Sequence, residues 1–185
     1  MIAYVFWHVR REGVDPGAYD QALLGFHSAL AASPPDGFLS SLTFHVQGAA
    51  WLGDTGDGYE DWYLVRASSA LDRLNDAAVS GQLAAPHEAV ARLASWGTAG
   101  LYKPVGWDPV DLDAPTTFWF DKPRGITYQA MLSRLEANEP GIDNRLWQRM
   151  MTLGPTPEFC LVGRGRDVLP YDWEGQLSVK RRLKA

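Results

Sequence analysis

The chain repeats itself. Phe6, Trp7, Arg10 and Gly13 recur as Phe118, Trp119, Lys122 and Gly125 at a constant offset of 112. Tyr19, Gln21, Ala22 and Leu24 resemble Tyr128, Gln129, Ala130 and Leu132 once a few loop residues are removed. Leu52 and Gly53 then find Leu153 and Gly154, while Trp62, Leu64 and Val65 find Phe159, Leu161 and Val162. Self-similarity of this kind marks an internal duplication, so the fold must be one that a single module can build twice.

The module can be read from its periodicities. Ile2 to Arg10 carries large side chains on both parities, which predicts a strand covered on two faces. Asp15 suits an N-cap and Pro16 the first helical position, and Tyr19, Leu23, Phe26 and Leu30 continue at helical spacing until Pro34, Pro35 and Gly37 stop the helix. Phe38 to Trp51 predicts a second strand, and a Gly/Asp turn over 53–58 leads into a third, Tyr59 to Ala67. Ser68 or Ser69 can cap a helix bearing Leu71, Leu74 and Ala78. A further helical stretch runs from Pro86 through Val90, Leu93 and Trp96, and Thr98 to Val105 forms a fourth strand. Strand, helix, strand, strand, helix, strand is the ferredoxin-like order of an α+β fold.

The first repeat spans 1–106, a connector rich in Pro and Asp spans 107–115, and the second repeat spans 116–185, together one compact unit. The second copy is shortened. Leu161 to Ala185 leaves room for a connection through Pro170 and a last strand near Gln176 to Leu183, but not for a second long helix.

Charge narrows the partners. A net charge of -5 and a pI near 5.3 lack the positive field that nucleic acid or an anionic membrane requires, so neither is expected as a partner. The basic run Lys180, Arg181, Arg182 and Lys184 reads as a solvated terminus. Cys160 stands alone and cannot form an internal disulfide, which fits a reducing compartment. No basic segment precedes the apolar N-terminus and no apolar run is long enough to span a bilayer, so the expected location is cytoplasmic.

On these repeats and this element order the chain resembles the dimeric α+β barrel group of the ferredoxin-like fold. That resemblance implies two antiparallel sheets facing each other around a pocket, with helices outside. The group contains monooxygenases, haem-handling enzymes, isomerase-like and lyase-like members and many proteins of unknown role, so it implies a fold and not a reaction.

Strand parity then selects pocket candidates. Tyr4, Phe6 and His8 share one face of the first strand, and Ala3, Val5, Trp7 and Val9 share the other, which looks like a surface for helix packing. On the second strand Leu42, Phe44 and Val46 oppose Thr43, His45 and Gln47. The expected pocket between the sheets is therefore lined by Tyr4, Phe6, His8, Thr43, His45, Gln47 and Tyr63, with His8 and His45 as the catalytic candidates, because imidazole titrates near neutrality. Tyr63 and Arg66 point to opposite faces, and Glu60 and Asp61, adjacent on a strand, point apart and make poor acid/base partners for each other.

No metal site is expected. His87 and Glu88 begin a helical zinc motif, but Ala91 stands where the second His is required. Asp54 and Asp57 lack calcium-loop spacing, and Cys160 in its apolar strand reads as inert packing.

Three readings follow. The first is a binder of a small, largely apolar molecule, open to cofactor-independent catalysis and needing no cofactor. The second is a non-catalytic interaction or assembly protein with a packed aromatic interior, for which a homodimer is the expected partner. The third is a haem binder using one His as axial ligand.

Overall fold

The computed structural model describes residues 1–54, 56–107, 109 and 112–184. Four strands come from the first half: β1 (Ile2–Arg10), β2 (Phe38–Gln47), β3 (Gly58–Val65) and β4 (Ala94–Pro104). Four come from the second: β5 (Thr116–Phe120), β6 (Leu146–Leu153), β7 (Phe159–Val162) and β8 (Gln176–Arg182). The helices are α1 (Pro16–Ala32), α2 (Ala70–Ala78), α3 (Ala84–Ala91) and α4 (Tyr128–Asn138). None is long and apolar enough to cross a membrane.

All eight strands close into one antiparallel barrel in the order β1-β3-β2-β8-β5-β7-β6-β4. Read from its last strand, the first half runs β4-β1-β3-β2 and the second runs β8-β5-β7-β6. The two orders are the same, which is the tandem ferredoxin-like duplication written in hydrogen bonds. Two equivalent seams, β2 against β8 and β4 against β6, join the halves. The sheet therefore has no open edge and needs no second chain to close it. Of the 107–115 connector, residues 108, 110 and 111 lie outside the described residues; Leu112 packs with the lumen core and Asp113 accepts from Arg182.

A barrel of eight strands is just wide enough for side chains to fill. Here tryptophan fills it. Trp7, Trp62, Trp119 and Trp147 are fully buried in the lumen with Ala3, Val5, Phe44, Val46, Tyr102 and Cys160. Trp51, from the short 3-10 turn after β2, closes against Trp7 and Trp119 with ring centroids 5.4 and 5.1 Å away, edge to face. The expected parity groups hold, but their faces are exchanged. The Ala3, Val5 and Trp7 set points into the barrel, and the Tyr4, Phe6 and His8 set faces outward beneath the helices. The physical reason is volume, because the lumen takes the largest side chains, the indoles.

The lumen also holds charge. Glu60 accepts from the indole N–H of Trp7 at 2.9 Å and of Trp62 at 2.7 Å, and Lys180 Nζ lies 3.7 Å from its carboxylate. The lysine sits 4.3 Å from the centre of the Phe44 ring. The expected solvated terminus is thus corrected: β8 is a barrel strand whose alternate residues Ser178 and Lys180 point inward. Burial lowers the Lys180 ammonium from its ordinary range although Glu60 opposes the shift, and burial pushes the Cys160 thiol well up.

The duplication reaches individual contacts. A Cβ on Gly97 would stand 2.4 Å from the Phe6 ring and 2.8 Å from the Trp7 carbonyl oxygen. One on Gly175 would stand 2.3 Å from the Phe118 ring and 2.6 Å from the Trp119 carbonyl oxygen. Each repeat thus has a glycine, Gly97 within β4 and Gly175 just before β8, that lets the Phe of its first strand approach closely.

Two outcomes follow for urea denaturation. Gly97→Ala should lower unfolding free energy by about 1–3 kcal/mol through overpacking. Lys180→Met, which strands Glu60 without a cation, should cost about 3–5 kcal/mol, with much of the loss recovered on adding Glu60→Gln.

Candidate functional site

A cavity of about 610 Å³ opens between the outer face of the first-half strands and α1, α2 and α3. Tyr4, Phe6 and His8 of β1 and Asp61 and Tyr63 of β3 form its polar and aromatic floor. Leu101 of β4 adds carbon to that floor, Tyr19, Leu23 and Phe26 of α1 form one wall, and Leu74 and His87 come from the α2 and α3 side.

Strand pairing assembles the polar floor. β1 and β3 are antiparallel with His8 opposite Tyr59, so Asp61, two residues on, is the diagonal neighbour on the same face. His8 Nε2 and Asp61 Oδ2 are 3.1 Å apart, and the Tyr63 hydroxyl donates to the same oxygen at 3.1 Å. On the other side of its ring, His8 Nδ1 meets the Tyr19 hydroxyl at 2.7 Å. An ionised Asp61 accepts from Nε2–H, which leaves Nδ1 as the acceptor for Tyr19. His27 of α1 approaches from behind, its Nε2 standing 3.4 Å from Asp61 Oδ1 in an electrostatic contact and its Nδ1 2.7 Å from Ser41 Oγ.

This carboxylate is fully buried and strongly biased. Burial alone would raise Asp61, but the imidazoles of His8 and His27 outweigh burial and hold the carboxyl well below the usual carboxylate range. The phenols respond in the opposite sense. Burial first, and then the Asp61 charge, push Tyr4, Tyr19 and Tyr63 upward, so each stays a hydroxyl at neutral pH. The Tyr4 hydroxyl makes no hydrogen bond among the described residues and belongs to the cavity floor.

Of the expected pocket set, Tyr4, Phe6, His8 and Tyr63 line this cavity and Thr43, His45 and Gln47 do not. His45 lies on the far side of Tyr59, its ring 5.5 Å from Tyr59 edge-on, while His8 stacks on Tyr59 at 5.5 Å. The two imidazoles share a face of the sheet but are separated by a phenol ring. Thr43 is buried beside no polar partner, and Gln47 is exposed. Asp61, Tyr19 and His27 were not among the expected site residues. Glu60 and Asp61 do point apart, yet each finds its partners on its own side of the sheet. The signal for Asp61 is the β1–β3 register, a non-local quantity that spacing along the chain does not carry.

No protein-family model matches the sequence, and no curated protein does. Solved structures match the fold. A provisionally assigned monooxygenase from Lactobacillus acidophilus is 9% identical with a TM-score of 0.57, over 97% of this chain and 93% of that one. A second provisionally assigned monooxygenase, from Fusobacterium nucleatum, is 10% identical with a TM-score of 0.57, over 99% and 92%. A provisionally assigned chlorite dismutase is 12% identical with a TM-score of 0.51, over 97% and 94%. At such identities the likeness speaks for the fold alone: an α+β barrel of two ferredoxin-like modules, both on one polypeptide.

The resemblance noted above raises the question of whether this cavity suits a haem, and its lining lacks, among the described residues, the cations that haem propionates pair with. Both ring nitrogens of His8 face hydrogen-bond partners and those of His27 face Ser41 and Asp61, which leaves His87 as the lining imidazole with no such partner among the described residues. No Lys or Arg lines the cavity among the described residues to meet the two propionates. Nor, among the described residues, are three His, Cys, Asp or Glu side chains placed so that they could hold a metal ion.

The Asp61 geometry sets a pH dependence. Its carboxyl is depressed on folding, so the stability it contributes is present above about pH 4 and is lost as pH falls further, toward its native value. An Asp61→Asn variant should therefore show a flatter acid limb below pH 4 than the parent when urea midpoints are measured from pH 2 to 7.

Proposed function

We propose that this protein binds a small, largely apolar molecule in the cavity beneath α1, α2 and α3, and that Asp61, His8 and Tyr19 form a cofactor-independent proton relay at its floor. The observation that carries this reading is the continuous chain of contacts from a fully buried carboxylate, through an imidazole, to a phenol on the cavity wall. In that chain the Tyr19 oxygen takes a proton from the ligand as the Tyr19 proton passes to His8 Nδ1. The resulting imidazolium is stabilised by Asp61, in the way a carboxylate supports a histidine base in hydrolytic triads. In the reverse direction Tyr19 donates. The Tyr4 hydroxyl, its proton uncommitted among the described residues, can donate a hydrogen bond to a ligand oxygen.

The packed tryptophan lumen supports the assembly reading, which expects an aromatic interior. The cavity outside it favours the binding reading. Its volume is in the range of small-molecule sites, and it joins carbon walls to a few convergent polar groups.

The test is a ligand screen read by tryptophan fluorescence, since Trp96 lines the mouth. Ala78→Trp fills the cavity from α2 without touching the relay. Any ligand found should lose about tenfold or more in affinity to that variant, while circular dichroism remains unchanged. Equal binding by the variant would place the ligand elsewhere.

A further inference from the structure

The cavity wall is electrically one-sided. Two carboxylates belong to it, Asp61 at the floor and Asp72 on α2 at the exposed rim, and no lysine or arginine does among the described residues. The guanidinium of Arg10, near enough to Tyr19 to be felt, is turned to the carbonyl of Val14. The remaining titratable groups on the wall are the imidazoles of His8 and His87 and the phenols of Tyr4, Tyr19 and Tyr63. Three of these respond to the same field: forming a negative charge at Tyr4, Tyr19 or Tyr63 is opposed by Asp61. A carboxylate or sulfonate entering the cavity would meet that opposition and leave its hydration without gaining a cation.

A cation meets the reverse. Tyr4 and Phe6 stack nearly parallel at 6.3 Å, Phe6 and His8 stack at 5.2 Å, and Tyr4 and Tyr63 stand 6.1 Å apart, so the floor is paved with ring faces. Aromatic faces beside a buried carboxylate are what an ammonium needs once it has lost water. We infer that the ligand of this cavity is an aromatic or alicyclic amine bound in its protonated form, with Asp61 and the Tyr4 and Phe6 ring faces setting its charge. This inference rests on the cavity being the ligand site proposed above.

Three probes of nearly equal shape test it: 1-naphthylmethylamine, 1-naphthalenemethanol and 1-naphthoate. They are titrated into the full chain at pH 8, where imidazoles are ordinarily uncharged. Affinity should fall in the order ammonium, alcohol, carboxylate, with the ammonium about tenfold or more ahead of the carboxylate. Asp61→Asn should narrow that gap about tenfold. Should that variant not fold, Asp72→Asn on the exposed rim should narrow the gap by about two- to threefold, with a smaller effect in high salt. An alcohol or carboxylate that binds as tightly as the ammonium overturns the charge assignment and leaves the cavity as a ligand site. If none of the three binds, both readings fall together.

Discussion

The constraint on which the rest of this structure depends is that eight strands closed on themselves enclose a lumen that must be filled by side chains. Filling it with indoles decides which face of every strand is inside. Once Trp7, Trp62, Trp119 and Trp147 point inward, their neighbours Tyr4, Phe6, His8, Asp61 and Tyr63 are committed to the outer face. That face is where the helices pack, so polar residues stranded there must satisfy one another. The Asp61 cluster is the result. The buried Glu60 with its two indole donors and a lysine is the same solution reached on the inner side.

Much of the scaffold is legible in the residues. Asp15 accepts from the Ala18 N–H at 2.8 Å at the start of α1, and Tyr19, Leu23, Phe26 and Leu30 form its buried stripe. β1 has the predicted bounds, and the repeat of Phe6 and Trp7 as Phe118 and Trp119 corresponds to strands in equivalent barrel positions. Local spacing misplaces the third helix, which ends at Ala91, while Trp96 belongs to β4. A short helix running into a strand gives no punctuation by Gly or Pro at that boundary.

What the residues conceal is the choice of side. Both faces of β1 are apolar enough to be core, so parity can sort its side chains into two groups but cannot say which group is enclosed. The decision comes from closure, a property of all eight strands together. Lys180 is concealed for the same reason, since a basic run near a chain end carries no mark that one of its members will enter a barrel. The His8 partnership with Asp61 required the β1–β3 register, and the two residues are 53 positions apart.

The Glu60 and Lys180 contact joins β3 of one repeat to β8 of the other, across the seam at which β2 and β8 pair. Were the first module to pair with a second copy of itself, each buried glutamate would depend on what its twin's final strand supplied, and β4 has Gly100 and Tyr102 at the inward positions where β8 has Ser178 and Lys180. The acid is on one module and its base on the other. The two modules are therefore complementary parts, and the contact that stitches this seam requires one of each.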